Sequence, residues 1–471
     1  MKELAADVLI VGGGLAGLRA AIAAVERGVS VLVVSKSEVA LDNCTASAAG
    51  YLSGAVGDTS PEQYLKLLQE RSGGLADEGL QRALAYDSGP ALAELQRFGI
   101  DYETTRGHVV VSGPYLWVGR SLTEPLYEFA LHKGVQFFSG ICLDHLLMAQ
   151  GQCCGAGALD LSTGETMLIR AKATVLCGGG HAAVFPRHDN PGSTMGDCVE
   201  AACSAGACCR QMECIKFHSL GLAEGPEPQD GFNFAPVLGK GQLMCRDGTP
   251  VERDELSGLW KERARPLERD DERFDLWLDN SQVDWSEPSA ARIRQSLLEP
   301  LDACDRPVRV SPLAHYTPGG ICIDAQGQTN VPYLFAAGEC TGGVFGADRP
   351  GGAALTECVV FARRAGHEAG RQALSRAALP QVQAPQIAFG DGPDPTPLLD
   401  RARWLVWNYA SVHAYTEGLE QCAGDLEDIA RRAEQISPAT AEAWLVLREL
   451  RSVLFAADRI IATRLGQAHH G

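Results

Sequence analysis

Short apolar runs separated by glycines dominate the first forty positions of the chain. Residues 7–11 form an apolar run of strand length, residues 18–27 are rich in alanine, and residues 29–34 are again apolar. Gly28 separates the alanine-rich segment from the second run, as expected at the end of a helix. Two buried strands joined by a helix form a βαβ unit, and its strands run parallel. The pattern therefore predicts an α/β fold that opens with a parallel sheet.

The remaining chain divides into segments of different texture. Residues 60–99 look helical, residues 134–177 alternate like strands, and residues 397–466 carry a helical stripe of apolar positions. Charges, prolines and tryptophans interrupt every pattern in residues 215–310, which indicates a smaller inserted domain. We therefore predict five parts, namely 1–214, the insertion 215–310, the return of the first domain at 311–378, a Pro- and Gly-rich linker at 379–396, and a helical domain at 397–471.

Composition and charge narrow the class of protein. The chain has 471 residues with 41 Lys+Arg against 59 Asp+Glu, a formal charge of −18, and it is 45% hydrophobic. This balance excludes a disordered chain and argues against a nucleic-acid binder, because phosphate contacts need clustered basic residues. No apolar run reaches the ~18 residues of a transmembrane helix. A strand pattern that begins at Asp7 leaves no room for a signal peptide, so we expect a cytoplasmic protein.

Sixteen cysteines are spread along the chain. Without a secretion signal we expect reduced thiols and not a disulfide framework. Five of them lie close together, namely Cys198, Cys203, Cys208, Cys209 and Cys214. Their spacing differs from the C-x2-C pattern of iron–sulfur sites, and five-residue steps along a helix turn side chains ~140° apart. We therefore predict buried structural thiols and no metal site.

A glycine-rich loop lies between the first predicted strand and the first predicted helix. Gly12, Gly14 and Gly17 form a G-x-G-x-x-G pattern there. The first glycine permits a tight turn, the second lets the backbone approach a pyrophosphate, and the third lets helix and strand pack closely. The helix N-terminus adds free N–H groups and the positive end of the helix dipole. The loop therefore predicts a dinucleotide-binding site.

The acidic residue that would hold the ribose of the dinucleotide is not in its usual place. Such a residue commonly follows the second strand, but Ser35 and Lys36 stand there. Glu339 follows another predicted strand, at residues 333–338. A buried carboxylate is costly unless it is hydrogen-bonded, and a ribose diol is a good partner. We expect Glu339 to bind the ribose, with a capping role as the alternative.

Seven segments, in order along the chain, carry a family resemblance. They are 33–36, Thr45 with 48–50, 119–123, 177–180, 217–221, 315–320, and 346–349 with Ala354 and Leu355. Together they resemble the flavoprotein family of succinate dehydrogenase, fumarate reductase and L-aspartate oxidase. The resemblance implies a Rossmann-like FAD-binding domain with an inserted α+β capping domain and a C-terminal helical domain. It implies that FAD contacts the glycine loop and a further set of residues: Ser35, Lys36, Thr45, Gly50, Glu339, Ala354 and Leu355.

The resemblance also implies a reaction. An enzyme of this family moves a hydride between flavin N5 and a carbon next to a carboxylate, on a small substrate held between the FAD-binding domain and the cap. His218, His315 and Arg349 match the residues that bind substrate carboxylates. A further arginine, in an Arg-Asp dipeptide on the cap, transfers the proton. Both Arg253 and Arg269 precede an aspartate, and we prefer Arg253 because a helix-like stretch and then a strand follow it.

The chain departs from the family pattern at several positions. Cys44 stands where membrane-bound members attach FAD to a histidine, so we expect noncovalent FAD. Residues 234–238 read Phe-Ala-Pro-Val-Leu in place of a Thr-Glu pair that helps to bind one carboxylate, and Ser219 and Leu220 replace Pro-Thr. The glutamate that aspartate oxidases carry is missing near residues 106–109. These changes put the identity of the substrate in question.

Two alternatives to a fumarate reductase-type enzyme therefore stay open. One is an L-aspartate oxidase-like amino-acid oxidase that uses O2. The other is a flavoprotein subunit with a degenerate substrate site that relays electrons to an acceptor, for example an iron–sulfur partner protein. Retention of His218, Arg253, His315 and Arg349 favours catalysis, whereas the lost Thr-Glu pair favours divergence.

Overall fold

The computed structural model describes residues 1–114, 118–224, 241–264, 272–281, 283–286, 291, 294–383 and 386–466. The β-strands, in chain order, are β1 (Lys2–Val11), β2 (Val31–Ser35), β3 (Tyr51–Ser53), β4 (Tyr102–Thr105), β5 (His108–Val111), β6 (Gln136–Ser139), β7 (Ile141–Ala149), β8 (Gln152–Asp160), β9 (Thr166–Leu176), β10 (Cys209–Arg210), β11 (Lys216–Leu222), β12 (Gln242–Met244), β13 (Pro250–Val251), β14 (Leu276–Asp279), β15 (Val308–Tyr316), β16 (Gly320–Cys322), β17 (Leu334–Ala336) and β18 (Thr341–Gly342).

Helices follow the same chain order. The α-helices are α1 (Leu15–Val25), α2 (Pro61–Arg71), α3 (Glu78–Ala93), α4 (Arg120–His132), α5 (Asp197–Ser204), α6 (Leu256–Arg263), α7 (Ala353–Ser375), α8 (Thr396–Ala410), α9 (Thr416–Ala433) and α10 (Ala441–Arg464). Short 3-10 segments lie at Glu94–Phe98, Ala182–Val184 and Arg253–Glu255, and a π-helical turn lies at Arg294–Leu298. None of the described helices combines the length and the apolar character that crossing a bilayer requires.

A seven-stranded sheet forms the centre of the molecule. Its order is β6-β2-β1-β9-β8-β7, with β17 beside β9. The strands β6, β2, β1, β9 and β17 run parallel, whereas β7 and β8 are antiparallel to their neighbours. The end of β1 and all of β2 are buried, which explains why both appear in the sequence as continuous apolar runs. The predicted βαβ opening and its parallel sheet are confirmed.

Two helices pack closely on one face of this sheet. A Cβ atom at Gly366 of α7 would lie only 2.1 Å from the carbonyl oxygen of Ala20 in α1. The two helices therefore approach each other at backbone distance, which small residues permit. This packing fixes α7, and with it the N-terminus of α7 at Gly352, relative to the glycine loop.

A second, antiparallel sheet lies in the region predicted as the insertion. Its order is β11-β15-β14-β12-β13. In the chain, β11 is the first of these strands and β15 is the last, and β12, β13 and β14 lie between them. Because β15 continues to Tyr316, the predicted boundary at residue 310 falls within a strand. Where the functional boundaries of the parts lie stays a prediction.

The C-terminal helices share a hydrophobic core with this second sheet. Trp407 of α8 is fully buried. Its ring centroid lies 5.7 Å from that of Phe274 and 6.3 Å from that of Phe217, both in the inserted region, and 6.4 Å from that of Phe185. The helical tail therefore stabilises the insertion by packing against it.

One pair of cysteines differs from the sequence-based expectation. Cys203, near the end of α5, forms a disulfide with Cys209, with a Cα–Cα distance of 6.6 Å. The helix ends at Ser204 and the chain turns back into β10, so the two side chains meet although their spacing on a continuous helix would separate them. The expectation of reduced thiols is therefore wrong for this pair.

Candidate functional site

Close backbone approaches shape the glycine loop between β1 and α1. Gly12 has a positive φ of 121°, and a Cβ atom there would lie 2.1 Å from the carbonyl oxygen of Cys177. A Cβ at Gly17 would lie 1.9 Å from the oxygen of Gly12. At Gly14, however, the nearest atom is Asn43 Oδ1 at 3.4 Å, an ordinary contact. The protein's own packing requires Gly12 and Gly17, whereas the space at Gly14 is open to a ligand.

A single pocket begins at this loop and collects much of the predicted cofactor site. Six residues predicted to bind the cofactor line it: Gly12, Gly14, Ser35, Lys36, Thr45 and Glu339. The other predicted residues, among those the structure describes, do not line it: Gly17, Gly50, Ala354 and Leu355. Gly17 does not line the pocket itself but packs against Gly12, which does. A pocket that begins at a helix N-terminus fits the phosphates of a dinucleotide.

Lys36 lies in the pocket wall at the end of β2 and is engaged by the protein. Its Nζ donates hydrogen bonds to Asp197 at 2.7 Å and to Glu449 at 3.1 Å. Burial alone would lower the pKa of Lys36, but the charges of Asp197 and Glu449 raise it above its usual range. The ammonium charge is thus already balanced, and backbone N–H groups are left as the main partners for a phosphate. The role of Ser35 and Lys36 toward the cofactor stays a prediction.

Glu339 lies in the same pocket wall, beside β15. Its Oε1 accepts hydrogen bonds from the backbone N–H of Thr317 at 3.0 Å and from the Thr317 hydroxyl at 3.4 Å. Burial raises the pKa of Glu339 to about 7, although the hydrogen bonds from Thr317 act to lower it. A Cβ atom at Gly180 would lie 2.3 Å from Glu339 Oε1, so the chain passes directly over the carboxylate. Ribose binding by Glu339 stays a prediction.

The remaining predicted contacts lie at the edges of this region. The helix α7 begins after Gly352, which has a φ of 77°; no side chain caps its N-terminus and no acidic residue occupies its first turn. Ala354 and Leu355 are half-buried in that turn. Its N–H groups and positive dipole end are therefore available to a partner of negative charge. Gly50 has a φ of 71° and packs against Val118.

The three predicted carboxylate-binding residues, His218, His315 and Arg349, lie together in the structure. His218 is on β11 and His315 on the neighbouring strand β15, and their ring centroids are 3.9 Å apart. Arg349 Nη2 lies 3.1 Å from His315 Nε2, and Nη1 donates to the oxygen of Pro350 at 2.9 Å. The guanidinium also lies over the ring of Tyr316, 4.4 Å from its centroid. The cluster combines a fixed cation with two imidazoles.

Asp189 joins this cluster and was missed in the sequence. Its carboxylate is buried, with Oδ2 at 2.9 Å from His315 Nδ1 and at 3.4 Å from His218 Nε2. Asn190 Nδ2 donates to Asp189 Oδ1 at 3.0 Å and to the backbone oxygen of His315 at 2.9 Å. An Asp-Asn pair in a region without a recognisable element carries no motif. Its only sequence signal is its position soon after residues 177–180.

Burial sets the ionisation of the cluster. The pKa of His218 is lowered to about 4, first by burial and then by its neighbours His315 and Arg349. Behind the cluster, Glu357 accepts hydrogen bonds from the Tyr316 hydroxyl at 2.7 Å and from Thr341 Oγ1 at 3.1 Å. Burial raises the pKa of Glu357 to about 7. His218 is therefore neutral at pH 7, and Arg349 is the cation of the cluster.

The predicted proton-transferring arginine, Arg253, lies on the inserted region. Arg253 is exposed at the start of the 3-10 segment Arg253–Glu255, and no described contact joins it to His218, His315 or Arg349. The helix α6 and then β14 follow it along the chain, in the order expected for this residue. Arg269 lies outside the described residues, as do residues 234–238. The role of Arg253 stays a prediction.

Asp189, His218 and His315 also have the composition of a metal site. Their ligand atoms all lie within 4.8 Å of one another. Arg349 Nη2 approaches His315 Nε2 as a donor, however, so His315 carries its proton on Nδ1, toward Asp189. A protonated nitrogen cannot bind a metal, and the nearby guanidinium disfavours a cation. Hydrogen bonds therefore explain the arrangement, and the expectation of no metal stays a prediction.

Residues 7–355 match a family model described as "FAD binding domain". The chain belongs to this FAD-binding family. The glycine cradle and its pocket fit that cofactor, because they leave open the space that a dinucleotide needs. The protein is an FAD-dependent oxidoreductase of the family that includes fumarate reductase and L-aspartate oxidase flavoproteins.

The relatives include both a fumarate reductase subunit and an L-aspartate oxidase, so they leave the substrate class open. A fumarate reductase (CoM/CoB) subunit of Methanothermobacter marburgensis is 29% identical over an alignment of 405 positions that covers 78% of this chain and 73% of the relative. The L-aspartate oxidase of Streptomyces coelicolor is 30% identical over an alignment of 394 positions that covers 77% of this chain and 68% of the relative.

Solved structures of low sequence identity share the fold. Mycobacterium smegmatis Sdh1 in complex with UQ1 matches with a TM-score of 0.84 at 23% identity, covering 99% of this chain and 87% of that chain. E. coli quinol fumarate reductase FrdA matches with a TM-score of 0.83 at 21% identity, covering 99% of this chain and 90% of that chain. The predicted fold class is confirmed, namely a Rossmann-like FAD-binding domain with an inserted cap and a helical C-terminal domain.

Proposed function

We propose that this FAD-dependent oxidoreductase transfers a hydride between flavin N5 and a CH–CH bond next to a carboxylate of a small substrate. The observation that carries the proposal is Arg349. This guanidinium is buried, and none of the described residues accepts a hydrogen bond from its Nε. A buried donor without an acceptor is costly, and a substrate carboxylate at this position would remove the cost.

The neighbours of Arg349 suit a carboxylate. A planar guanidinium binds a carboxylate through parallel N–H···O bonds, which fix the position and orientation of the substrate. The ring centroids of His218 and His315 are 3.9 Å apart and His315 lies next to Arg349, so both rings would contact the same substrate. Holding the substrate in one orientation against the cofactor lowers the barrier because the reacting atoms are already in place. We therefore assign substrate binding to these three residues.

We propose that FAD binds noncovalently in the pocket at the glycine loop. Six residues that line the pocket would hold it: Gly12, Gly14, Ser35, Lys36, Thr45 and Glu339. Four further predicted FAD contacts lie outside the pocket lining: Gly17, Gly50, Ala354 and Leu355. Bound FAD supplies the hydride acceptor or donor of the reaction. Cys44 lines the pocket, but its thiol donates to Asn190 Oδ1 at 3.0 Å. Acid precipitation should release FAD into the supernatant, and flavin retained on the polypeptide would contradict noncovalent binding.

We assign proton transfer to Arg253, on the insertion. The support is its place in the chain, immediately before α6 and β14. The insertion, residues 215–310, would then act as a capping domain on the FAD-binding parts 1–214 and 311–378, with a linker at 379–396 and a helical domain at 397–471. An arginine is a weak proton donor in water, so proton loss from Arg253 must be transient.

The second candidate is an L-aspartate oxidase-like amino-acid oxidase. The relative from Streptomyces coelicolor, at 30% identity, favours it. A third possibility is electron relay to an iron–sulfur or other partner protein. The described cluster holds one carboxylate-binding cation, Arg349, and the buried acidic groups Asp189 and Glu357 surround it. A substrate ammonium would need a negative partner that faces it, whereas Asp189 already binds His315.

One experiment separates these functions. The oxidised holoenzyme is mixed anaerobically with succinate, other saturated mono- and dicarboxylates, and L-amino acids, and flavin absorbance is followed. We expect bleaching by a saturated carboxylate and no bleaching by L-aspartate. Bleaching by L-aspartate with rapid reoxidation by O2 would replace the proposal with the oxidase function. If no compound bleaches the flavin but an artificial donor reduces it, electron relay becomes the better explanation.

A further inference from the structure

Asp189 is a buried carboxylate with no role in the function proposed so far. Both of its oxygens are engaged. Oδ1 accepts from Asn190 Nδ2 at 3.0 Å and lies 3.1 Å from His315 Nδ1. Oδ2 lies 2.9 Å from the same His315 nitrogen and 3.4 Å from His218 Nε2. Since no oxygen of Asp189 is left for a substrate, its effect on the reaction must pass through the histidines.

The hydrogen bonds of His315 define where its proton lies. Arg349 Nη2, which is always a donor, lies 3.1 Å from His315 Nε2, so this nitrogen accepts. The single proton of the neutral ring is then on Nδ1 and is donated to Asp189. A substrate carboxylate that binds Arg349 would compete for the guanidinium and would face the Nε2 lone pair. Two lone pairs repel, so His315 in this form does not help to hold an anion.

We propose that binding of the substrate carboxylate is coupled to uptake of one proton at His315 Nε2, and that Asp189 is the positioning residue that makes this uptake possible. The inference rests on the proposed carboxylate substrate. In this step a proton from solvent binds the Nε2 lone pair, the Arg349–His315 hydrogen bond breaks, and both donors turn to the carboxylate. No electrons are transferred. Asp189 balances the new imidazolium charge, and the substrate anion balances Arg349.

The charged groups around His315 favour this ring over its neighbours as the proton acceptor. From β11, His218 faces it, but burial lowers the pKa of His218 to about 4, which keeps that ring neutral. Lys216, also on β11, is already held by Asp348 and by the oxygen of Arg349. The buried carboxyl groups behind the cluster belong to Glu339, held by Thr317, and Glu357, held by Tyr316. His315 is the ring that directly bonds a carboxylate through Nδ1.

The experiment uses the oxidised holoenzyme with malonate and fumarate, neither of which can donate electrons to the flavin. Binding is followed by the change in flavin absorbance between pH 5.5 and 8.5, and proton uptake is followed with an indicator dye in weakly buffered solution. We expect the Kd to rise about tenfold per pH unit once free His315 is neutral, and uptake to approach one proton per bound ligand. Coupled uptake and pH dependence would support the inference.

Asp189→Asn tests the carboxylate directly. The amide keeps an oxygen acceptor for His315 Nδ1 but carries no charge to balance an imidazolium. We expect the affinity for malonate at pH 6 to fall about 10- to 1,000-fold, with proton uptake lost and flavin content kept. Asp144→Asn is the matched control, because Asp144 Oδ2 lies 2.9 Å from His145 Nδ1 in an Asp–His pair outside the site. It should leave both measurements unchanged.

The outcomes separate the inference from the function on which it rests. If malonate or fumarate binds to the native enzyme without proton uptake, the inference is wrong and the proposed function stands. If no carboxylate binds at any pH, both are wrong. If Asp189→Asn does not fold, the native proton-uptake measurement still decides. Full proton uptake by a folded Asp189→Asn variant would also overturn the role of Asp189.

Discussion

The glycine loop and the His–Arg cluster are built in opposite ways. The loop is one stretch of six residues, 12–17, and close contacts between backbone atoms set its shape. The cluster is made of side chains from four separate places in the chain, at Asp189, His218, His315 and Arg349. Sterics dominate in the first region, whereas charge and hydrogen-bond direction dominate in the second.

Because the two regions are built differently, substitutions should act differently in each. Added volume in the loop displaces the cofactor or the backbone, and it does so at every pH. A change in the cluster alters charge, so its effect should fall on ligand binding, turnover or pH dependence while FAD stays bound. A loop substitution that changes only pH dependence, or a cluster substitution that releases FAD, would show that the two regions are coupled.

The largest effect is expected in the loop, from Gly14→Val. Gly14 has an extended backbone, with φ −86° and ψ −168°, and its Cβ position has only an ordinary 3.4 Å contact with Asn43. The variant should therefore fold, but its side chain should occupy the space of the pyrophosphate. We expect a colourless protein with native circular dichroism, and flavin content is read from absorbance. Gly424→Val, in a helix where a Cβ meets no atom within 4 Å, is the control that should stay yellow.

Two results would contradict this prediction. A yellow Gly14→Val variant with a normal flavin content would mean that the phosphates do not approach Gly14. A variant that is unfolded would mean that the open space at Gly14 is needed by the protein itself, as it is at Gly17.

The second effect concerns turnover and tests a residue of the insertion. If Arg253 transfers the proton, Arg253→Gln should lower kcat by about 10²–10⁴-fold, the usual size of general acid–base catalysis, with flavin content and carboxylate affinity kept. Arg246→Gln is the control, because Arg246 is exposed on the same insertion and pairs with Glu272. Steady-state kinetics with the substrate that bleaches the flavin measures both. An inactive Arg269→Gln beside an active Arg253→Gln would move the assignment.

Much of the fold followed from the sequence because its signals are local. The strands β1 and β2 are buried in a parallel sheet, so their buried residues are apolar except Ser35 at the end of β2, and the pattern is visible without knowing the partner strands. The glycines at 12 and 17 are fixed by contacts within one turn of chain and with a neighbouring strand. The disulfide between Cys203 and Cys209 was missed, because it depends on where α5 ends.

The site was only partly visible for the same physical reason. His218, His315 and Arg349 lie in segments whose neighbouring residues form motifs, so a resemblance located them. Asp189 lies between elements, and its importance comes from the distance of 2.9 Å to His315, which is 126 residues away in the chain. No periodicity or composition encodes such a contact. The engagement of Lys36 by Asp197 and Glu449 was hidden in the same way.

The third effect is on carboxylate binding. Arg349→Lys keeps the charge but loses the planar fork, so at least one charge-assisted hydrogen bond is lost. At about 1.5–3 kcal/mol for such a bond, the Kd for malonate should rise about 10- to 100-fold. Arg364→Lys is the control, since Arg364 pairs with Asp87 outside the site. Flavin absorbance titration measures both, and an unchanged Kd in Arg349→Lys would exclude Arg349 as the carboxylate partner.

The smallest effect is on the pH dependence of stability, through Glu357. Its pKa in the folded protein is raised from 4.5 to about 7, so between these values the folded state binds more protons than the unfolded state. Stability is therefore present at low pH and lost as pH rises through this window. Glu357→Gln cannot ionise, so from pH 5 to pH 8 it should lose less stability than the native protein, by about 1–3 kcal/mol. Urea unfolding with excess FAD measures the difference.

Glu368→Gln, on the same helix, should not show this gain, because the pKa of Glu368 is lowered by its hydrogen bond from Arg371. Equal pH profiles for Glu357→Gln and the native protein would mean that Glu357 is ionised throughout, and that the charge of the cluster is more negative than its burial indicates.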